Sequence, residues 1–109
     1  METMSHAEAV AGIGARPPGD PEGMRRLADD LRRIARELGS VQRIRIEHWD
    51  SGRAREAKAR IAGAARTASD VSHDLGRAAR LLDQEAAELV AARGRWARRY
   101  TDLTGEAPP

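Results

Sequence analysis

The chain has 109 residues, enough for one domain, and its 19 Lys and Arg against 17 Asp and Glu leave a net charge of +2. The absence of cysteine excludes disulfides and thiolate metal sites, and no apolar run approaches the roughly 20 residues that cross a bilayer. The near-neutral balance argues against a dedicated nucleic-acid binder, which carries a clear basic excess.

The first 19 residues are predicted to form a disordered arm. They contain several glycines, a Pro-Pro pair and no apolar period. They also lack the basic start and following apolar run of an ordinary cleaved signal peptide. We therefore expect that export of this protein, where it occurs, uses another route.

A first helix is predicted over about residues 20–49. Asp20 is a suitable N-cap, and Pro21 suits the first helical position, where its missing N–H has no partner to lose. Trp49 follows Leu38 by eleven residues, three helical turns, so it returns to the same face. That face carries apolar side chains at spacings of three and four: Met24, Leu27, Leu31, Ile34, Leu38 and Val41.

Asp50, Ser51 and Gly52 are predicted to reverse the chain, and a second helix begins at residue 53. Its apolar stripe has the same spacing and consists of Ala54, Ala57, Ile61, Ala64, Ala68, Val71, Leu75, Ala78 and Leu82, then Leu89, Ala92 and Trp96. A three-residue connection makes the helices antiparallel neighbours. The predicted fold is thus all-α, an antiparallel two-helix hairpin over residues 20–92. The larger residues of both stripes are expected to form the core of the hairpin or of its dimer: Leu27, Leu31, Ile34, Leu38, Ile61, Val71, Leu75, Leu82 and Leu89.

One hairpin buries little apolar surface compared with the entropy lost on ordering its residues. A second hairpin, completing a coiled-coil-like four-helix bundle, would supply the missing burial. The second helix is longer than the first, so the region after about Ala92 is expected to fray or to pack on a partner. Residues 93–109 are accordingly predicted to be an Arg-rich helix end followed by a flexible tail.

A short helical hairpin with Trp49 and Gly52 at its turn resembles the WXG-type (Trp-x-Gly) family, the early-secreted-antigen-like substrates of type VII (ESX) secretion in actinobacteria and Gram-positive bacteria. Residues 18–41 also resemble the N-terminal secretion-signal hairpin of larger actinobacterial exported proteins, which commonly begins Pro-Gly-Asp-Pro. The resemblance implies pairing with itself or with a second hairpin of this type, and export by the type VII machinery. It also implies that Trp49, Asp50, Ser51 and Gly52 form one end of a recognition groove.

The chain departs from the family pattern at three places. Its turn is one residue longer than Trp-x-Gly, and Ala57 stands where the family often has Phe. The usual export element is Tyr-x-x-x-Asp/Glu, whereas Tyr100 is followed four positions on by Thr104. Since one partner of a heterodimer can carry the signal for both, a partner without a complete signal is consistent with the resemblance.

Alternatives remain for the two aromatic sites. Trp49 also suits a simple hydrophobic plug at a helix end. In the segment RGRWARRY, residues 93–100, Trp96 and Tyr100 stand among four arginines. This segment suits a solvated helix end, a contact with nucleic acid or a membrane surface, or a C-terminal recognition segment in which Trp96 and Tyr100 dock on the secretion machinery.

No catalytic set is evident. His6, His48 and His73 are scattered, and Asp70 and Asp74 suit pairing with nearby arginines more than metal binding. We therefore predict a non-enzymatic protein without metal or cofactor, either a type VII secretion substrate or its dimerisation partner, secreted by that route or cytoplasmic before export. The alternative is a cytoplasmic coiled-coil adaptor or nucleic-acid-associated protein that uses the Arg-rich end.

Overall fold

The computed structural model of the chain describes residues 2–40 and 52–109. Over these ranges the fold is all-α, as predicted, and no strand occurs in them. The helices are α1 (His6–Ile13), α2 (Pro21–Ser40) and α3 (Gly52–Thr104). None of the helices in these two ranges is long and apolar enough to cross a membrane.

Helix α1 lies inside the segment for which the sequence predicted a disordered arm, so that prediction is wrong over these eight residues. Ser5 caps the helix: its hydroxyl accepts a hydrogen bond from the Glu8 backbone N–H at 3.3 Å and donates to the Glu8 carboxylate at 3.0 Å. The helix ends at Gly14, whose φ of 83° favours glycine and whose N–H donates to the Val10 carbonyl at 2.8 Å.

Helix α2 begins as predicted. The Asp20 carboxylate accepts a hydrogen bond from the Gly23 backbone N–H at 3.0 Å, and Pro21 is the first helical residue. The predicted continuation of this helix to about residue 49, and the predicted turn through Asp50 and Ser51, lie outside the described residues.

Helix α3 has 53 residues and begins at Gly52, the residue that the sequence placed last in the turn. It continues through the segment after Ala92, where fraying or docking on a partner was expected. Its end is well defined, because Thr104 is buried and its hydroxyl donates to the Tyr100 carbonyl at 2.9 Å. Gly105 then follows with a φ of 72°, a common C-terminal ending of helices.

The chain divides into two compact units. The first unit combines the N-terminal segment up to Met24 with the C-terminal segment Gln84–Pro109, and the second unit is Arg25–Asp83. Each unit therefore contains a part of α3 together with a segment that precedes it in the sequence.

Candidate functional site

The predicted recognition motif falls largely outside the described residues. Trp49, Asp50 and Ser51 belong to the undescribed range, and Gly52 is the first residue of α3. The groove that the family resemblance implies at this turn therefore stays a prediction. The described residues form two other surfaces, one in each unit.

In the second unit, small residues lie where α2 and α3 meet. Ala28 and Ala79 are fully buried, and the Ser72 hydroxyl donates to the Ala35 carbonyl at 2.8 Å. Ala28 lies seven residues, about two turns, before Ala35 on α2, and Ala79 lies seven residues after Ser72 on α3. The register of the hydrogen bond therefore places Ala28 opposite Ala79. The two segments therefore run in opposite directions, and alanine at the contact lets their backbones approach closely.

Three of the larger apolar side chains of this unit lie beside the alanine contact. Leu27 directly precedes Ala28, and Ile34 directly precedes Ala35. One residue along a helix corresponds to a rotation of about 100° around its axis, so Leu27 and Ile34 lie to the side of the contact. Val71 precedes Ser72 in the same way. In an antiparallel pair, stepping back by one residue on either helix turns the side chain toward the same side of the pair. Leu27, Ile34 and Val71 therefore share one side.

This side of the second unit is open to solvent. Leu27 is 49% exposed, Ile34 is 39% exposed and Val71 is 41% exposed. Half-buried leucines lie between these residues and the alanine contact. We call the whole set the apolar face, and it consists of Leu27, Leu31, Ile34, Leu38, Val71, Leu75 and Leu82. Seven of the nine predicted core residues thus form a partly exposed face, whereas Ile61 and Leu89 are half-buried elsewhere.

Polar contacts fix the pairing of the two helix segments in this unit. The Arg32 guanidinium donates to the Asp83 carboxylate across the helices and to Asp29, one turn away on α2, at 3.3 Å. The hydrogen bond to Asp83 is the main reason why the pKa of Arg32 lies above its ordinary value. The predicted pairing of Asp74 with Arg77 is confirmed as an ion pair on the surface of α3.

In the first unit, the two aromatic residues of the C-terminal segment are buried by the chain itself. Trp96 is 8% exposed and Tyr100 is 4% exposed, and their rings stack with centroids 5.2 Å apart. Ala9 of α1 is fully buried against them, and the cluster is completed by Ile13, Ala97 and Leu103. The region expected to fray or to await a partner therefore packs on the N-terminal segment of the same chain.

Hydrogen bonds hold the N-terminal segment along α3. At one end, the Met4 N–H donates to the Leu103 carbonyl at 2.8 Å. The Tyr100 hydroxyl and the Nδ1 atom of His6 lie 2.7 Å apart. These bonds fix the segment that enters α1.

The segment that leaves α1 is held by side chains of α3. The Trp96 Nε1–H donates to the Gly14 carbonyl at 2.9 Å, and the Arg93 Nε–H donates to the Pro17 carbonyl at 3.0 Å. The Arg93 guanidinium also donates to the Gly19 carbonyl. Three backbone carbonyls between residues 14 and 19, which would otherwise need water, are satisfied in this way.

This contact was not predicted from the sequence. Its signal was local: Ser5 and Glu8 match the Ser/Thr-x-x-Glu pattern of a helix N-terminus, and Ala9 and Ile13 are one turn apart. The hydrogen bonds from Arg93 to the Pro17 and Gly19 carbonyls had no such signal, because every residue has a backbone carbonyl and no sequence pattern marks the one that accepts.

The described residues contain no group of three or more His, Asp or Glu side chains close enough to hold a metal ion. His6 is used in the contact with Tyr100, and His73 contacts the Ser69 carbonyl on its own helix at 2.9 Å.

Comparisons of this chain with protein-family models, with curated proteins and with solved structures give no match.

Proposed function

We propose that this protein is a small, non-enzymatic substrate of a type VII (ESX) secretion system, or the dimerisation partner of such a substrate, and that it acts by assembling into a four-helix bundle. The observation that carries the assembly part is the apolar face of the second unit. Two antiparallel helix segments place Leu27, Ile34 and Val71 on one side, each between 39% and 49% exposed.

A second pair of helices would cover these side chains. In a four-helix bundle each helix contacts one neighbour from its own hairpin and one from the partner, so its buried surface is wider than a single seam. The apolar face suits this arrangement, because α2 and α3 already contact each other through Ala28 and Ala79, which leaves the apolar face for a partner. The partner is a second copy or another hairpin with a similar face.

The secretion part of the proposal rests on the residues that resemble the WXG-type family. Trp49 and Gly52 supply the turn motif, and the segment from Pro18 to Val41 resembles the beginning of the secretion-signal hairpin. The departure at Thr104, where the export element would have an acid, favours the role of partner over that of signal carrier.

Export from a host with and without a working type VII system tests the secretion part. The tagged chain is expressed in both strains, alone and together with a candidate partner hairpin, and is measured by immunoblot in culture filtrate and cells. We expect it in the filtrate only where the system works. Replacing Trp49 by Ala should abolish export, whereas Trp49→Phe should retain part of it. Equal amounts in both filtrates, or unchanged export of the Ala variant, would contradict the proposal.

The alternative of a nucleic-acid-associated protein has less support from the same contacts. Base stacking needs accessible rings, and Trp96 and Tyr100 are buried by the N-terminal segment. Arg93 is bonded to two backbone carbonyls. A gel shift at low and moderate salt tests this alternative, which predicts binding that weakens steeply as salt rises.

A further inference from the structure

The N-terminal segment of this protein covers a surface of α3 that carries two aromatic side chains. We call residues 4–19 the N-terminal cover, and the residues beneath it the aromatic surface: Trp96, Ala97, Tyr100 and Leu103. The two rings are two of the three aromatic side chains in the chain. A protein with so few aromatic residues therefore concentrates them under its own N-terminal segment.

The cover has the properties of a segment that can leave. Its helix has eight residues, well below the about 12–15 that an isolated helix needs for marginal stability in water. Only Ala9 of this helix is fully buried. The helix is therefore stable through its contacts with α3, and losing a few of these contacts would release it.

The aromatic surface recognises features that do not depend on the cover belonging to the same chain. It accepts a small side chain at the position of Ala9, which lets the helix approach the rings. Trp96, together with Arg93 beside the aromatic surface, also donates hydrogen bonds to the backbone carbonyls that follow the helix. A helix with a small contact residue, followed by a non-helical segment whose carbonyls can accept hydrogen bonds, fulfils both conditions.

We propose that the N-terminal cover is removable, and that the uncovered aromatic surface binds the N-terminal cover of a second copy of this chain. The second copy is the occupant because every contact needed in trans is already made within one chain. The segment between α1 and α2 contains Pro17 and Pro18, which favour extended backbone and can direct α1 away from its own α3. This exchange goes beyond the proposed function and does not depend on secretion.

Opening of the cover is measured first, in the full-length chain. Tyr100 is the single tyrosine, so fluorotyrosine incorporated into the protein gives one ¹⁹F signal that reports this surface. Ala9→Asp places a carboxylate against the rings and should move the signal to the position of exposed tyrosine. The matched control is Ala7→Asp, at an exposed position of the same helix, and should leave the signal unchanged. Equal signals in the two variants would overturn the cover.

A milder pair of variants guards against unfolding by the buried charge. Arg93→Gln removes the donors to the Pro17 and Gly19 carbonyls, and Arg98→Gln is its exposed control on the same helix. Loss of charged hydrogen bonds should raise the opening of α1, measured by amide hydrogen exchange, by about ten-fold or more in the first variant only. Equal exchange in both variants would likewise overturn the cover.

Docking is then tested with a peptide of residues 3–19. The Ala9→Asp chain should bind this peptide and recover the buried ¹⁹F signal, whereas the same peptide carrying Ala9→Asp should not bind. The wild-type chain should bind the peptide at least ten-fold more weakly, since its own cover competes. An opened chain that ignores the wild-type peptide would overturn the docking surface.

Exchange between two copies is tested with disulfides, because the natural chain contains no cysteine. One chain carries Met4→Cys and another carries Leu103→Cys, positions whose backbones are joined by a 2.8 Å hydrogen bond. At about millimolar protein, comparable with the effective concentration of a tethered segment, the mixed chains should cross-link. A chain carrying both substitutions should close within itself, and Ala7→Cys in place of Met4→Cys should not cross-link. Internal closure without any cross-linking of the mixed chains would overturn the exchange.

Discussion

Truncating two side chains of the apolar face should weaken self-assembly of this protein. The variant combines Leu27→Ala and Ile34→Ala, two turns apart on α2. Its control combines Asp30→Ala and Glu37→Ala, an exposed pair with the same spacing on the same helix. Because the control removes the same number of side chains from the same helix, it separates the face from the helix itself.

The magnitude follows from the surface that each side chain still exposes. Full burial of Leu or Ile is worth about 1.5–3 kcal/mol. With 49% of Leu27 and 39% of Ile34 exposed, covering the remainder is worth about 1.3–2.6 kcal/mol per chain, and about 2.6–5.3 kcal/mol in an assembly of two copies. Alanine keeps a methyl group, so we take the lower part of this range, about 3 kcal/mol, which corresponds to roughly a hundred-fold rise in the dimer Kd.

The assay is sedimentation equilibrium over a range of concentrations. The wild-type chain should reach twice its monomer mass of 11.9 kDa. The control should follow the wild type, and far-ultraviolet circular dichroism should show that both variants keep their helices. A wild-type chain that stays monomeric at all concentrations would refute self-assembly. A dimer whose Kd is the same in the alanine variant and in the control would refute the apolar face as its interface.

Three further changes test the packing within each unit. Gly19 has a φ of 134°, and an added Cβ would lie 2.7 Å from a methyl group of Leu89. Gly19→Ala should therefore lower the free energy of unfolding, measured with urea, by about 1–3 kcal/mol. The control Gly12→Ala, in a helix with open space around it, should not lower it. Tyr100→Phe should cost about 0.5–1.5 kcal/mol through its lost hydrogen bond to His6, and a double-mutant cycle with His6→Ala should show coupling; additive effects would exclude the bond. Ser72→Ala removes the hydrogen bond to the facing carbonyl of α2 and should destabilise the second unit by about 0.5–1.5 kcal/mol; unchanged hydrogen exchange there would contradict that reading.

The parts of the fold that were predictable are those with local causes. Asp20 and Pro21 marked the beginning of α2 because a cap needs only a neighbouring N–H group and a fixed φ. The apolar stripe through Leu82 indicated a helix from residue 53 to about Ala92, and α3 includes this range, whereas the segment that continues it to Thr104 was expected to fray or to pack on a partner. Both predictions depended on residues within a few turns of each other.

The N-terminal helix shows the limit of that reasoning. Its own eight residues would not keep it helical in water, so glycine and proline content led to a prediction of disorder. It is helical because Ala9 fits against Trp96 and Tyr100, about ninety positions away in the sequence. The capping pattern of Ser5 and Glu8, with Ala9 and Ile13 one turn apart, was the local signal for this helix.

The apolar stripe of α2 lies beside the contact with α3 and does not form its centre. Periodicity shows which side of a helix is apolar, yet it does not show which neighbouring row of residues carries the closest contact. Here the row through Ala28 packs within the chain, since small side chains permit the closest approach of α2 and α3. The row through Leu27 and Ile34, which the sequence assigned to the core of the hairpin or of its dimer, lies at the edge of this contact and is partly exposed.

The two surfaces give two different routes to a species of two chains, and mutation separates them. Assembly through the apolar face should respond to Leu27→Ala with Ile34→Ala and should tolerate Ala9→Asp. Exchange of the N-terminal cover should respond in the opposite way, because Ala9 contacts the aromatic surface and takes no part in the apolar face. If Ala9→Asp and the Leu27→Ala, Ile34→Ala pair weaken the dimer to the same degree, neither surface acts independently. The helical content of each free variant would then show whether loss of folding causes the effect.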